Sequence, residues 1–220
     1  MTDKKEKDGA PLFYVPKSVS LGSTNKLNHI DIQFPALCKR RTACSSKEAH
    51  EMVLVPNSIG MMKLNHYFKD DPVILQEFVQ HDGVIVKVYV ADGHITASTR
   101  PSFKNLSPTG DIVHFDSQAL PKTFDTAAPL EEGLEEVFLR MDPNGVHIHK
   151  EAILDLNILK RMTDSLQERL GLTFFGFDVL IESGTQRYYI VDVNYFPGFK
   201  NVDGFHSIFI DILEKRLTRR

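Results

Sequence analysis

The chain has 220 residues, 42% hydrophobic and 25% charged, with 26 basic against 29 acidic side chains and a net charge of −3. That composition belongs to a globular protein able to bury a sizeable core, and it excludes collagen, coiled coil and disorder as the main state. No apolar run reaches membrane-spanning length, since Lys87 interrupts Val84 to Val90 and Asp211 interrupts Ser207 to Leu213. The balance of charge argues against a general nucleic-acid binder, so any anion site must be local.

Residues 1–10 read as a solvated tail of mixed charge, without the apolar segment of a secretory signal, and a cytoplasmic protein is expected. Cys38 and Cys44 have no metal-ligand partners at zinc spacing, so reduced thiols are expected. After a polar stretch from Ser18 to Asn28, the run from Ile30 to Cys38 has strand character with a bend at Pro35. It delivers Lys39, first of a cationic cluster with Arg40 and Arg41. An apolar patch from Met52 to Val55 precedes a short helix around Ile59 to His66, and Pro72 opens a strand-like run from Val73 to Val79.

Val84, Val86, Val88 and Val90 alternate with other residues, and Asp92-Gly93 follows, which predicts a tight hairpin returning through Ile95 to Thr99. With Asp92 and Gly93 as the loop, Ala91 lies opposite His94, Lys87 opposite Ser98 and Val86 opposite Thr99. Lys87 and Arg100 then project from one face. Two cations so placed repel unless an anion lies between them, which offers a place for phosphate. Two solvated charges on an exposed face is the plainer alternative. Residues 105–150, punctuated by Pro and Gly, read as a loop-rich insertion. Leu154, Ile158, Met162, Leu166 and Leu170 then mark an amphipathic helix with Asp155 as N-cap and Gly171 as its stop, its stripe assigned to core packing. Phe205, Ile208, Phe209, Ile212 and Leu213 mark a last helix with Asp203 near its start.

Between those helices, the runs from Phe174 to Glu182 and from Arg187 to Gly198 read as a second antiparallel hairpin. A three-residue loop at 184–186 pairs Leu180 with Ile190, Asp178 with Asp192 and Gly176 with Asn194. Asp192 and Asn194 share a face in any register, because side chains two apart on a strand point the same way. Opposed carboxylates among apolar neighbours require neutralising, and two carboxylates with an amide oxygen suit a hard cation such as magnesium. A solvated edge, or one protonated acid, is the alternative.

Lys39, the triplet His50-Glu51-Met52, Gln76-Glu-Phe-Val79, Lys87, Arg100-Pro-Ser-Phe-Lys-Asn105, Phe175-Gly-Phe-Asp178 and Asp192-Val-Asn-Tyr-Phe-Pro-Gly198 together resemble the ATP-grasp part of inositol-tetrakisphosphate 1-kinases, also called inositol 1,3,4-trisphosphate 5/6-kinases. The resemblance runs from about Ala10 to Leu213, and the ordered set is more specific than any one motif. It implies an α+β, ATP-grasp fold of mainly antiparallel sheets packed with helices, with two lobes around a nucleotide cleft. A unit over 11–216 is expected, the first lobe about 11–75 and the second about 76–216.

The resemblance also implies roles. Lys39 and Lys87 contact ATP phosphates; Gln76, Glu77, Phe78 and Val79 form the hinge that holds adenine; Ser102 lies beside the nucleotide. Asp178, Asp192 and Asn194 hold magnesium, and His50, Lys87, Asn194 and Gly198 bind the inositol polyphosphate. Lys87, Arg100 and Asp192 form the catalytic set, with Mg2+ and ATP required and a monomer expected. Two departures accompany the likeness. Arg40 to Ala49 contains no glycine, and the family's N-terminal α/β domain has no counterpart in Met1 to Asp31. A silent ATP-grasp remnant that binds nucleotide or a partner, and an ATP-grasp carboxylate-amine ligase, are the competing readings.

Overall fold

The computed structural model describes residues 10–23, 30–42, 47–124, 129–139, 155–200 and 202–218. The expected tail at 1–9, Cys44 and Leu154 lie outside them. Two antiparallel sheets form the frame. The first contains β1 (Ser18–Leu21), β2 (Ala36–Arg40), β3 (Glu51–Val55), β4 (Val73–Glu77) and β7 (Val113–Asp116), in the order β1-β4-β2-β3-β7. The second contains β5 (Val84–Ala91), β6 (His94–Pro101), β8 (Phe174–Ile181) and β9 (Tyr188–Tyr195), in the order β6-β5-β8-β9.

Period-two alternation decides what each sheet buries. In the first sheet Ala36, Cys38, Val53, Val55, Val73 and Leu75 line one face and are closed over by Leu64 and Phe68. Burial pushes the Cys38 thiol up to about 12, which keeps it protonated and unreactive. The helix expected around Ile59 to His66 is two short ones, α1 (Ser58–Met61) and α2 (Leu64–Phe68). Asn57 caps the first through Ile59 N and Gly60 N, while Met62 N and Lys63 N bond three residues back to Ile59 O and Gly60 O, interrupting the α-ladder.

In the second sheet the Asp92-Gly93 hairpin has the expected register, Ala91 opposite His94 and Lys87 opposite Ser98. Val86, Val88 and Val90 join Phe175, Phe177 and Val179 on a face that packs under Leu159, Met162 and Leu166 of α3 (Leu156–Leu170). The cap and stop of α3 are the expected ones. Asp155 accepts from Asn157 N at 2.8 Å, and Gly171 ends the helix at φ +65°. Its buried stripe is rotated from the expected one, with Leu159 inside and Leu170 41% exposed. α4 (Phe205–Leu217) starts at Gly204 in the left-handed conformation, without a side-chain cap.

The loop-rich reading of 105–150 misses β7, a four-residue edge strand whose Met52–Phe115 and Leu54–Val113 pairings tie it to β3. Leu12 and Phe13 enter the core of the second sheet, and Tyr14 bridges its edge, donating from N to Tyr188 O at 2.8 Å and accepting from Ile190 N at 2.9 Å. Four residues later the same segment becomes β1 of the first sheet. No helix among the described residues is long and apolar enough to cross a membrane.

Candidate functional site

The face of the second sheet turned away from α3 carries the acidic residues. Asp178 pairs with Asp192 and Gly176 with Asn194, the two pairs expected from a three-residue loop. The expected Leu180–Ile190 pair is displaced: a bulge between Asp178 and Val179 shifts the ladder, so Val179 faces Ile190 and Leu180 faces Tyr189. The bulge lets Tyr188 and Ile190 enter the core while Asp192 and Asn194 stay on the other face. Asn194 Nδ2 donates to Asp192 Oδ2 at 2.7 Å, leaving the amide oxygen as a further ligand atom.

Lys87 lies opposite Asp178 on β5, with Nζ 2.5 Å from Oδ2. The Asp178 side chain is 13% exposed. Burial raises its carboxyl above the ordinary value and the Asp192 charge adds to this, while Lys87 and, less, Arg100 pull the other way. Two carboxylates and an amide oxygen on one face, one acid already raised, are a donor set that fits a hard divalent cation. Arg100 Nη2 donates to Tyr89 Oη at 3.2 Å, and Tyr89 is itself held against Phe199. Gly176 admits the chain that follows β9. A Cβ there would lie 3.0 Å from Pro197 Cγ and 3.1 Å from Val88 O. Phe196 makes the turn at φ +44°, a strained value for an aromatic residue, braced by Phe174 and Phe199. Gly198 is open, with nothing within 4 Å of a Cβ.

On the first sheet, Leu37 pairs with Gln76, so Lys39 and Gln76 share the face opposite the Cys38 core. Gln76 is 8% exposed, and its side-chain amide has no hydrogen-bond partner among the described residues. Arg40 points the other way, paired with Glu51 and Asp71 over the Phe68 ring, so the cationic cluster divides between two faces. Glu77 also faces away, its carboxylate accepting from Gln33 N at 3.0 Å. Phe78 N is bonded to Pro35 O, whereas Val79 N has no partner among the described residues. His50 ends a 3-10 turn before β3 and accepts through its carbonyl from Ser117 N. No hydrogen bond or ion pair joins its ring to the other candidates.

The connector from 78 to 83 carries residues that the sequence reading passed over. Gln80 and Leu106 exchange two bonds of 2.9 and 2.8 Å, and Asp82 and Asn105 two of 2.9 and 2.7 Å. His81, 1% exposed, joins Val79 O to Ser102 Oγ. Arg100-Pro-Ser-Phe-Lys-Asn105 is therefore divided between the site and the clasp. Tyr89 could have been found from its place two residues beyond Lys87 on one strand face. A lone His81 gives no comparable signal.

Two antiparallel sheets joined by a clasped connector, one with an acid-lysine face and the other with a lysine and a buried amide, form an ATP-grasp architecture. The chain belongs to the family described as the inositol 1,3,4-trisphosphate 5/6-kinase ATP-grasp domain, whose model matches residues 2–215. Inositol-tetrakisphosphate 1-kinase 1 of Zea mays is 31% identical over 182 residues, 82% of this chain and 49% of the relative. Inositol-tetrakisphosphate 1-kinase 3 of Arabidopsis thaliana is 27% identical over 214 residues, 97% and 56%. The chain thus spans about half the length of these curated relatives. Among solved structures, macrocyclase MdnC of Microcystis aeruginosa MRC bound with precursor peptide MdnA matches 92% of this chain and 56% of that one, at TM-score 0.49 and 11% identity. The fold rests on the family match and the two sheets.

Proposed function

We propose that the chain is the ATP-grasp part of a kinase that transfers the γ-phosphate of ATP to a hydroxyl of an inositol polyphosphate, a tris- or tetrakisphosphate. The observation that carries the reading is the face shared by Lys87, Asp178, Asp192 and Asn194 within a member of this family. Phosphoryl transfer needs position and charge compensation more than covalent chemistry, and this face offers both.

In this reading Gln76 and the Val79 N–H bind the adenine edge, and Ser102 lies beside the nucleotide. Lys39 and Lys87 hold the phosphates from the two sheets, and Arg100, oriented by Tyr89, adds a third cation. Asp178, Asp192 and Asn194 would hold magnesium, which would supply positive charge to offset that of the phosphates. His50, Asn194 and the open space at Gly198 take the inositol phosphate. No side chain is assigned as a general base. The unit spans 11–216 in two lobes divided near residue 75, monomeric and cytoplasmic, sedimenting at the mass of one chain.

The test is transfer of labelled γ-phosphate to inositol trisphosphate and tetrakisphosphate. Magnesium-dependent product is expected, with Asp192→Ala lowering turnover at least about 100-fold at unchanged far-ultraviolet circular dichroism. Nucleotide binding without transfer would establish the silent ATP-grasp reading instead, and an acyl-phosphate trapped from a carboxylic acid would establish the ligase reading. An Asp192→Ala chain with full turnover and nucleotide affinity would refute the kinase site.

A further inference from the structure

His81 is 1% exposed and both ring nitrogens are engaged: Nδ1 lies 2.6 Å from Val79 O and Nε2 2.8 Å from Ser102 Oγ. A backbone carbonyl can only accept, so the hydrogen on this side of the ring must sit on Nδ1. In the neutral ring Nε2 is then an acceptor, and the only hydrogen Ser102 Oγ can offer goes to it. The ring is set within the connector by its contact with Phe78, centroids 5.3 Å apart, and Ser102 is fixed through Ser102 N to Gly83 O and Leu139 N to Ser102 O. Turning the His81 ring would break both of its bonds, and the Ser102 backbone that carries the hydroxyl is held on both sides.

We infer that His81 is a positioning residue that fixes the hydrogen-bond polarity of Ser102: as the Nδ1–H tautomer it takes the Ser102 hydroxyl proton, so that Ser102 meets its ligand as an acceptor only. Ser102 therefore selects an N–H or O–H donor on the ligand, and a carbonyl or phosphate oxygen at the same place meets lone pairs. An acceptor facing an acceptor leaves both unpaired, which is the strong form of discrimination available to a buried polar site. This inference rests on the nucleotide reading of the cleft. Adenosine triphosphate carries two kinds of suitable donor, the exocyclic amine of the base and the ribose hydroxyls, and purine riboside triphosphate and 2′,3′-dideoxy-ATP each lack one of them. The role extends the hinge from a run of four residues to a relay, Val79 to His81 to Ser102, that spans the connector and the end of β6.

Two measurements on the full chain test it. Histidine 15N chemical shifts, with His81 assigned by its loss in His81→Phe, are expected to show a neutral ring protonated at Nδ1. A ring protonated at Nε2, or at both nitrogens near neutral pH, overturns the inference without reference to any ligand. In titrations with magnesium present, one of the two analogues is expected to bind wild type at least about 10-fold more weakly than ATP. That preference should fall below about 2-fold in Ser102→Ala, in His81→Phe and in the double variant alike. Which analogue is rejected identifies the donor. Independent, additive losses in the two single variants, with the analogue preference intact, overturn the coupling. Should His81→Phe fail to fold, His81→Gln supplies the 15N assignment, and the analogue preference in Ser102→Ala is read as before. Failure of wild type to bind ATP at all counts against the nucleotide reading, while the 15N result continues to judge the tautomer.

Discussion

Asp178 illustrates a residue placed at a cost to stability. Its carboxyl is raised chiefly by burial, so the folded chain holds its proton more tightly than the unfolded chain does. Stability from this group is complete below the unfolded value, near the ordinary carboxylate range, and is lost as pH rises through the raised folded value. Above that raised value the ionised carboxylate is a burden only partly relieved by Lys87 at 2.5 Å. Asp178→Asn is expected to raise the thermal midpoint at pH 7 relative to wild type, with the gain disappearing at pH 3, and to abolish any magnesium-induced rise in that midpoint. A lower midpoint for the variant at pH 7 would contradict this. Neighbouring Lys39 and Arg40 separate by role in the same way. Arg40, 12% exposed and paired with Glu51 and Asp71, is expected to cost about 2 kcal/mol on truncation to alanine in urea unfolding. Lys39→Ala should stay within about 0.5 kcal/mol of wild type while weakening ATP binding. Sequence could not separate the two, because an Arg beside a Lys looks alike until the pleat assigns each a face.

The β8–β9 hairpin is the element on which the site depends, and it was partly legible. The β5–β6 register followed from Asp92-Gly93, whereas in β8–β9 the pairs nearest the loop run one residue off the expected register and the bulge restores Asp178 opposite Asp192. The bulge was not legible, because Ile190 and Val191 are both apolar and β-branched and either could turn inward. β7 escaped for another reason: four residues carry little pattern, and its stability comes from pairing with β3 some sixty positions earlier. The cap and stop of α3 were readable because Asp155 and Gly171 act within a few residues of themselves. Gly176 and Gly198, both in recognisable motifs, have opposite surroundings. Gly176→Ala must displace Pro197 or the Val88 carbonyl and is expected to lower the thermal midpoint and phosphoryl transfer together. Gly198→Ala has room and should leave the midpoint unchanged while weakening inositol phosphate affinity, as separate melting and binding measurements would reveal.

For the whole molecule, a ligand that engages both sheets should stabilise the pair. Magnesium-ATP at 100 times its dissociation constant is expected to add about 2.7 kcal/mol to unfolding, read from denaturant midpoints. A chain whose midpoint is unmoved by saturating nucleotide would not bind across the cleft. The N-terminal segment gives this coupling a definite form. Between Tyr14, fastened to β9, and Ser18, paired with Gln76 on β4, the backbone can reach about 14 Å at full extension. One residue before Ser18, Lys17 O accepts from Glu77 N at 2.9 Å, immediately before the connector begins. The returning strand is clasped at the same place, through Gln80 to Leu106 and Asp82 to Asn105. Three connections between the sheets thus meet where the connector begins, and at that edge the sheets can separate by no more than the tether's reach of about 14 Å.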